Sequence, residues 1–414
     1  MKMIRPFKAL RPRKELAPKV IAPPYDVLSR EEAFEMAKGN EYSFLRVNKP
    51  EIDVDSAIDP YDQRVYQKGA VNLQSMIDDA IMLRDDKAMF YVYKQVMGAH
   101  EQYGLVAAAS IEAYEQGRIK KHEFTRPAKE DDRVNHINTL NAQVGPVFLT
   151  YRARAEIDAI IEKVVKAEPD NDIAASDGTR HVLWSISDDS INAALQSEFD
   201  KIDCLYVADG HHRSAAAQRV KDIRKKANPK HTGEESYNFF SSVIFPDNQM
   251  QILDYNRVVK DLNGLSEDEF LRKIQACFDV KVSPNGAVKP TAEHHFSMYL
   301  GGTWYLLRIL AGLWNEQDPV SSLDASILQI NLLSHVLGIE DPRRDDRIDF
   351  VGGIRGLEEL EKRVDSGECA AAFALYPTSI TSLMAVADAG EVMPPKSTWF
   401  EPKLKSGLFV HILD

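Results

Sequence analysis

Cysteine is nearly absent. The chain has three, Cys204, Cys277 and Cys369, and they are odd in number and far apart. This excludes a disulfide framework and a Cys-x-x-Cys metal clip. No apolar run approaches the ~20 residues that a membrane-spanning helix requires. The opening Met1-Lys2-Met3-Ile4-Arg5-Pro6 lacks the apolar core of a secretory signal. A cytoplasmic protein with no membrane partner is therefore expected. Basic excess is also missing: 51 Lys and Arg stand against 63 Asp and Glu, for a net charge of -12. Binding along nucleic acid needs a basic surface, so no nucleic-acid partner is expected. A P-loop is excluded because no Gly-x4-Gly-Lys-Ser/Thr occurs. Gly352-Gly353-Ile354-Arg355-Gly356 has the wrong spacing for a dinucleotide fingerprint and reads as a tight turn.

What is present is ordinary globular material. The 414 residues are 44% hydrophobic and 28% charged, enough for two or three domains with real cores. Weak breaks near 255 and 340 divide the chain into 1–255, 256–340 and 341–414. The first is the expected catalytic region, the second a middle α/β region, and the third a C-terminal segment expected to pack back on the first. Ser29 reads as an N-cap for a helix over 30–38, with Glu31 and Glu32 in its first turn. Residues 62–83 read as one helix. Phe90–Tyr93 and Leu105–Ala109 read as a hairpin around the polar stretch 98–102. A helix is expected from Pro127, since proline suits a first turn. The mixture predicts an α+β protein with mixed sheets.

One segment stands out. The apolar run Cys204-Leu205-Tyr206-Val207-Ala208 leads directly into Asp209-Gly210-His211-His212-Arg213, followed by an alanine-rich helical pattern from Ser214 to Lys226. A helix N-terminus offers unpaired N–H groups and partial positive charge, which attract anions. Gly210 permits a sharp turn, and Arg213 can grip phosphate with two parallel hydrogen bonds. His211 and His212 can donate hydrogen bonds, and Asp209 can hold magnesium, a hard cation that prefers oxygen. Taken singly, Asp209 would be a helix cap and the histidines surface groups. Five such residues together after a buried strand favour a functional site.

Asp-Gly-His-His-Arg between a strand and a helix resembles the signature of the free serine kinases known as SerK, which have a ParB-like fold. A longer set of segments resembles the domain-of-unknown-function family 1015. These are Ala22-Pro23-Pro24-Tyr25-Asp26-Val27, Tyr42-Ser43-Phe44-Leu45, Lys121-His122-Glu123-Phe124-Thr125-Arg126-Pro127, Gly145-Pro146-Val147-Phe148 and Met393-Pro394-Pro395-Lys396-Ser397-Thr398. The resemblance implies a ParB-like nucleotide-binding core with additional α/β elements. It also implies ATP or ADP as donor, magnesium as the metal, L-serine as the acceptor and O-phosphoserine, a feed for cysteine synthesis, as the product. A nucleotide hydrolase or switch on the same scaffold, or a nonenzymatic regulator, is the alternative. Oligomeric state is not legible.

The second constellation lies between Arg118 and Arg133, where six basic residues stand among four acidic ones. With a helix from Pro127, Arg126, Lys129 and Arg133 share one face. Alone, such a run is usually a solvated surface. Glu123 differs, because it precedes the helix in a loop beside His122. A serine hydroxyl needs a base during attack on phosphorus, and SerK proteins are similar in using a glutamate, to which Glu123 is the match. His122-Glu123-Phe124-Thr125-Arg126 is not a zinc-protease helix, because Arg126 replaces the required second histidine. The expected site is therefore Glu123, His211, His212 and Asp209 for catalysis. Gly210, Arg213, Arg126, Lys129, Arg133 and His122 are expected to bind nucleotide phosphate, and Asp209 to hold the metal.

Overall fold

The computed structural model describes residues 2–413. It is a mixed α/β structure with several sheets. The chain divides into two compact units, Met1–Met250 with Pro402–Asp414, and Gln251–Glu401. It thus crosses between units at 250 and 401, where the sequence had placed breaks near 255 and 340. Among the described residues, the three cysteines are free thiols, and no helix is long and apolar enough to cross a membrane.

The first unit is built on a nine-stranded sheet. Its order is Ile119–Lys120, Leu205–Asp209, Val147–Tyr151, Phe239–Pro246, His100–Ser110, Tyr91–Met97, Arg180–Ser185 and Asn171–Ala174, with Ile4–Arg5 pairing beside Ala108 and Ala109. Two of its pairings are parallel and the others antiparallel. Leu105 to Ala109 are all fully buried, which explains their continuous apolar run: helices and loops cover both faces. Gly104 sits where the sheet leaves no room. A Cβ there would lie 2.6 Å from Val243 Cγ1 and 2.7 Å from Phe245 Cζ.

The hairpin is tighter than the sequence suggested. Strands Tyr91–Met97 and His100–Ser110 are joined only by residues 98 and 99. The polar Gln102, expected in the loop, is fully buried and donates to Gln95 at 2.9 Å across the pair. The hydrogen bond offsets the cost of burying the two amides, which is why a polar residue lies inside the strand pair. Residues 62–83 also divide. The helix is Gln63–Asp78, capped by Asp62, and Met82–Arg84 becomes a strand against Ala9–Pro12. Ser29 does cap its helix, in a reciprocal capping box with Glu32.

A second sheet of the first unit holds Met82–Arg84, Ala9–Pro12, Val410–Ile412 and Ala142–Gln143 in that order. One of its four strands thus comes from the returning segment. The second unit is a six-stranded antiparallel sheet in the order Phe278–Val282, Thr303–Ile309, His295–Leu300, Ala371–Leu375, Tyr255–Val259 and Ile348–Gly352. Helices Glu267–Ile274 and Asp324–Leu328 contribute to its main core.

Candidate active site

The strand Leu205–Asp209, between Ile119–Lys120 and Val147–Tyr151, carries the motif at its C-terminal end. Its register against Val147–Tyr151 slips between Val207 and Asp209. Such a bulge bends a strand and re-aims the side chain that follows it. Gly210 then takes φ +100°, and a Cβ there would sit 3.0 Å from Arg213 Nε. The backbone angle requires glycine, and a side chain there would also press on the Arg213 guanidinium. The helix begins at His211 and runs to Ala227 with Gly210 as its N-cap. It starts three residues before the Ser214 expected from the sequence. His211, His212 and Arg213 are therefore its first turn, and their positions are fixed by the helix.

His211 is buried at 3% exposure. Its ring lies 4.4 Å from that of His122, at 85°. Its Nε2 accepts a long contact of 3.5 Å from the His122 backbone N–H. Burial, then the charges of His122, His212 and Lys121, hold its pKa well below the usual histidine range, while Asp209 opposes the shift. His211 is thus neutral near pH 7. With Nε2 accepting, its proton belongs on Nδ1, which lies 3.6 Å from Glu123 Oε2. That distance exceeds a formed hydrogen bond, but catalytic contacts commonly tighten only when substrate binds. Glu123 remains 46% exposed, open to a ligand. His122 is buried and lowered to about 4, chiefly by desolvation. Its Nδ1 is buried with no hydrogen-bond partner.

His212 faces the other helix. Its Nε2 accepts a 3.0 Å hydrogen bond from the Arg126 backbone N–H, and Arg126 is the N-cap of the helix Pro127–Leu140. Burial lowers its pKa most, with Arg126 and Lys129 adding to the shift, while Glu130 and Asp26 oppose it. The two helix starts therefore converge on one region, each bringing the partial positive charge of a helix N-terminus.

Arg213 is buried at 8% exposure. It donates to the Pro146 carbonyl and, at 3.1 Å, to Asp209 Oδ2. Burial works against its charge, but Asp209, Asp26 and Tyr25 outweigh burial and raise its pKa. Asp209 is the complement. Burial would raise it, yet Lys403, Arg213, His211 and the Gly210 N–H hold it well below the usual carboxylate range.

Not every expected cation points the same way. Arg126 and Lys129 lie near His212, and Lys129 Nζ donates to the Tyr61 hydroxyl at 3.0 Å. Arg133 turns inward, pairs with Asp132 at 2.7 Å and lies 3.9 Å from the Tyr25 ring centre. With Tyr25, His136, Gly145, Arg213 and Ser241 it lines a small cavity. Two participants were missed. Lys403 is the leading charge on Asp209, but nothing in its local sequence marks it. Asp26 acts on both His212 and Arg213. The segment Pro23-Pro24-Tyr25-Asp26 was visible as part of the family resemblance, without a role.

Among the described residues, no group of three or more His, Cys, Asp or Glu could hold a metal ion. The carboxylate expected to meet a cation is that of Asp209, 32% exposed. This still fits magnesium, which often uses one or two protein carboxylates and completes its shell with phosphate oxygens and water.

The sequence profile of the family described as "Protein of unknown function (DUF1015)" matches residues 4–326. The chain belongs to this family. No curated protein matches it. Among solved structures, this member of the DUF1015 family is similar to a free serine kinase variant in complex with AMP. The identity is 15%, over 73% of this chain and 92% of that chain, with a TM-score of 0.38. It is also similar to a conserved hypothetical protein from Pyrococcus furiosus, at 15% identity over 73% and 95% of the two chains and a TM-score of 0.35. A third is SbnI with a C-terminal truncation from Staphylococcus aureus, at 13% identity over 74% and 87%, with a TM-score of 0.30.

Proposed function

We propose that this chain is a free L-serine kinase, transferring a phosphoryl group from ATP or ADP to the serine hydroxyl to give O-phosphoserine. The observation that carries the reading is the placement of the Glu123 carboxylate 3.6 Å from Nδ1 of the buried His211, whose pKa burial holds low. A base and an anion-receptive helix start thus share one site. The motif resemblance to serine kinases supplies the reaction class.

In the proposed step, the terminal phosphoryl lies over the first turn from Gly210 to Arg213. Glu123 takes the proton from the serine hydroxyl as its oxygen bonds to phosphorus. The bond from phosphorus to the leaving nucleotide oxygen breaks in line. The neutral His211 Nδ1–H steadies Glu123, and Arg126, Lys129 and Lys403 balance phosphate charge. Arg213 fixes the turn and keeps Asp209 ionised. Bound magnesium would neutralise charge on the phosphates, with Asp209 as its protein ligand.

The test incubates purified protein with magnesium, ATP or ADP, and each of a panel of free amino acids, reading phosphorylated products by mass spectrometry. Phosphoserine formed only with serine is the expected result. Nucleotide hydrolysis with no phosphorylated amino acid would overturn the kinase reading in favour of a nucleotide hydrolase or switch.

A further inference from the structure

The second unit holds a charge with no counter-charge. Arg257 lies in the strand Tyr255–Val259, between Ile348–Gly352 and Ala371–Leu375, and is only 3% exposed. Its two terminal nitrogens donate to the backbone carbonyls of Tyr255 and, at 3.5 Å, Pro395. Among the described residues, no carboxylate pairs with it. Burial lowers its pKa to about 10, so it stays charged at neutral pH. A guanidinium has five donors, and a buried charge is costly unless paired and hydrogen-bonded. Asp254, three residues away in sequence, is engaged by Lys289 at 3.0 Å and Asn256 at 2.7 Å.

Around Arg257 the loop Met393–Thr398, which the function above does not use, is held in a defined shape. Ser397 Oγ donates to the Pro394 carbonyl at 2.7 Å, and Thr378 Oγ1 donates to the Ser397 carbonyl at 2.8 Å. Lys396 takes φ +58°, a left-handed angle that a long side chain rarely adopts and that tends to occur at ligand clamps. Its Nζ lies 5.6 Å from the Tyr255 ring centre. The Tyr255 and Trp399 rings meet edge-on at 5.1 Å. Trp399 is seated on Gly352, where a Cβ would come within 2.9 Å of the indole. Arg257 meets this loop at the Pro395 carbonyl, Lys396 lies over the Tyr255 ring, and Tyr255 meets Trp399 edge-on.

We propose that the second unit carries an oxyanion-binding site, in which Arg257 and Lys396 receive a phosphate or carboxylate group against a wall formed by Tyr255 and Trp399. Arginine supplies the two-pronged grip that matches both anions. Lysine adds a mobile point charge, and the rings give the rest of the ligand an apolar face. This site shares no residue with the one built on Asp209 and stands whether or not the chain is a serine kinase.

The test titrates the full chain with inorganic phosphate, AMP and acetate, reading tryptophan fluorescence and bound ligand by equilibrium dialysis. Trp399→Phe identifies the part of the signal that comes from this site. The expected result is a saturable change that disappears in Trp399→Phe and weakens at least tenfold in both Lys396→Ala and Arg257→Lys. A response to phosphate and AMP but not acetate assigns phosphate as the recognised group; a response to acetate assigns a carboxylate. Lys396 is exposed, so its variant still decides if the Arg257 variant fails to fold. No Trp399-dependent change with any of the three probes, or unaltered binding in Lys396→Ala, would overturn the site.

Discussion

His212 Nε2 accepts a 3.0 Å hydrogen bond from the backbone N–H of Arg126, so the first turn of one helix is tied to the N-cap of another. Two positive helix ends are held side by side, an arrangement that repels itself until an anion arrives. His212→Ala removes the tie. It should cost about 0.5–1.5 kcal/mol of stability by urea denaturation and weaken nucleotide binding several-fold by calorimetry. Unchanged nucleotide affinity would mean that the two helix starts act independently.

Glu123→Gln tests the base. The amide keeps the shape but cannot take a proton, so kcat should fall by about 10²–10⁴, with nucleotide affinity nearly unchanged. A variant that turns over serine at the original rate would remove Glu123 from the chemistry.

Buried histidines set an acid limit on stability. His122 is lowered to about 4, and His136 and His181 to about 3, each chiefly by desolvation. The unfolded chain holds these groups near the ordinary value of roughly 6.5. As pH falls below that value the unfolded state takes up protons first, so stability is full above about pH 6.5 and drains away as pH falls toward 4 and then 3. The urea midpoint should drop between pH 7 and pH 5, and His136→Gln should shallow that drop. An equal slope in wild type and variant would show that His136 titrates normally.

Gly104→Ala should destabilise the first unit by about 1–3 kcal/mol, since the added methyl meets Val243 and Phe245 at under 3 Å. The effect belongs to folding alone. The denaturation midpoint should shift while nucleotide affinity in the native range does not; lost affinity at full folding would contradict a purely packing role.

Lys403→Met removes the leading charge that keeps Asp209 ionised. Asp209 should stay ionised through Arg213 and the Gly210 N–H, while nucleotide affinity at pH 7 should fall several-fold through the lost cation. Calorimetric titration at pH 7 would detect this; unchanged affinity would place Lys403 outside the site.

The motif loop was legible because its parts are local. A buried strand, a glycine and a helical pattern lie consecutively, and the structure assembles them as strand, N-cap and first turn. Pro127 similarly marked a helix start, and Ser29 a cap, because each signal acts within one turn of chain. What the sequence hid was non-local. Lys403 reaches Asp209 only through the returning segment. Gln102 read as loop because its amide looked unsatisfied until it was paired with Gln95 across two strands. The spacing put Arg126, Lys129 and Arg133 on one helical face, but Arg126 is the extended N-cap outside the helix, and Asp132 and Tyr25 hold Arg133 inward. Periodicity gives the face of a helix but not what packs against it.

The return of the chain to its first unit also sets an order of assembly. During synthesis, residues up to 250 emerge first, but the strand Val410–Ile412 that joins Ala9–Pro12 to Ala142–Gln143 and the lysine beside Asp209 are not yet made. All of 251–401 must be translated before them, a delay on the order of ten seconds at about 5–20 residues per second. For that interval the nascent protein carries its motif without its last strand, exposing edges that a chaperone can hold. The site is thus completed last, and a ribosome that stalls within the second unit releases a chain that lacks Lys403.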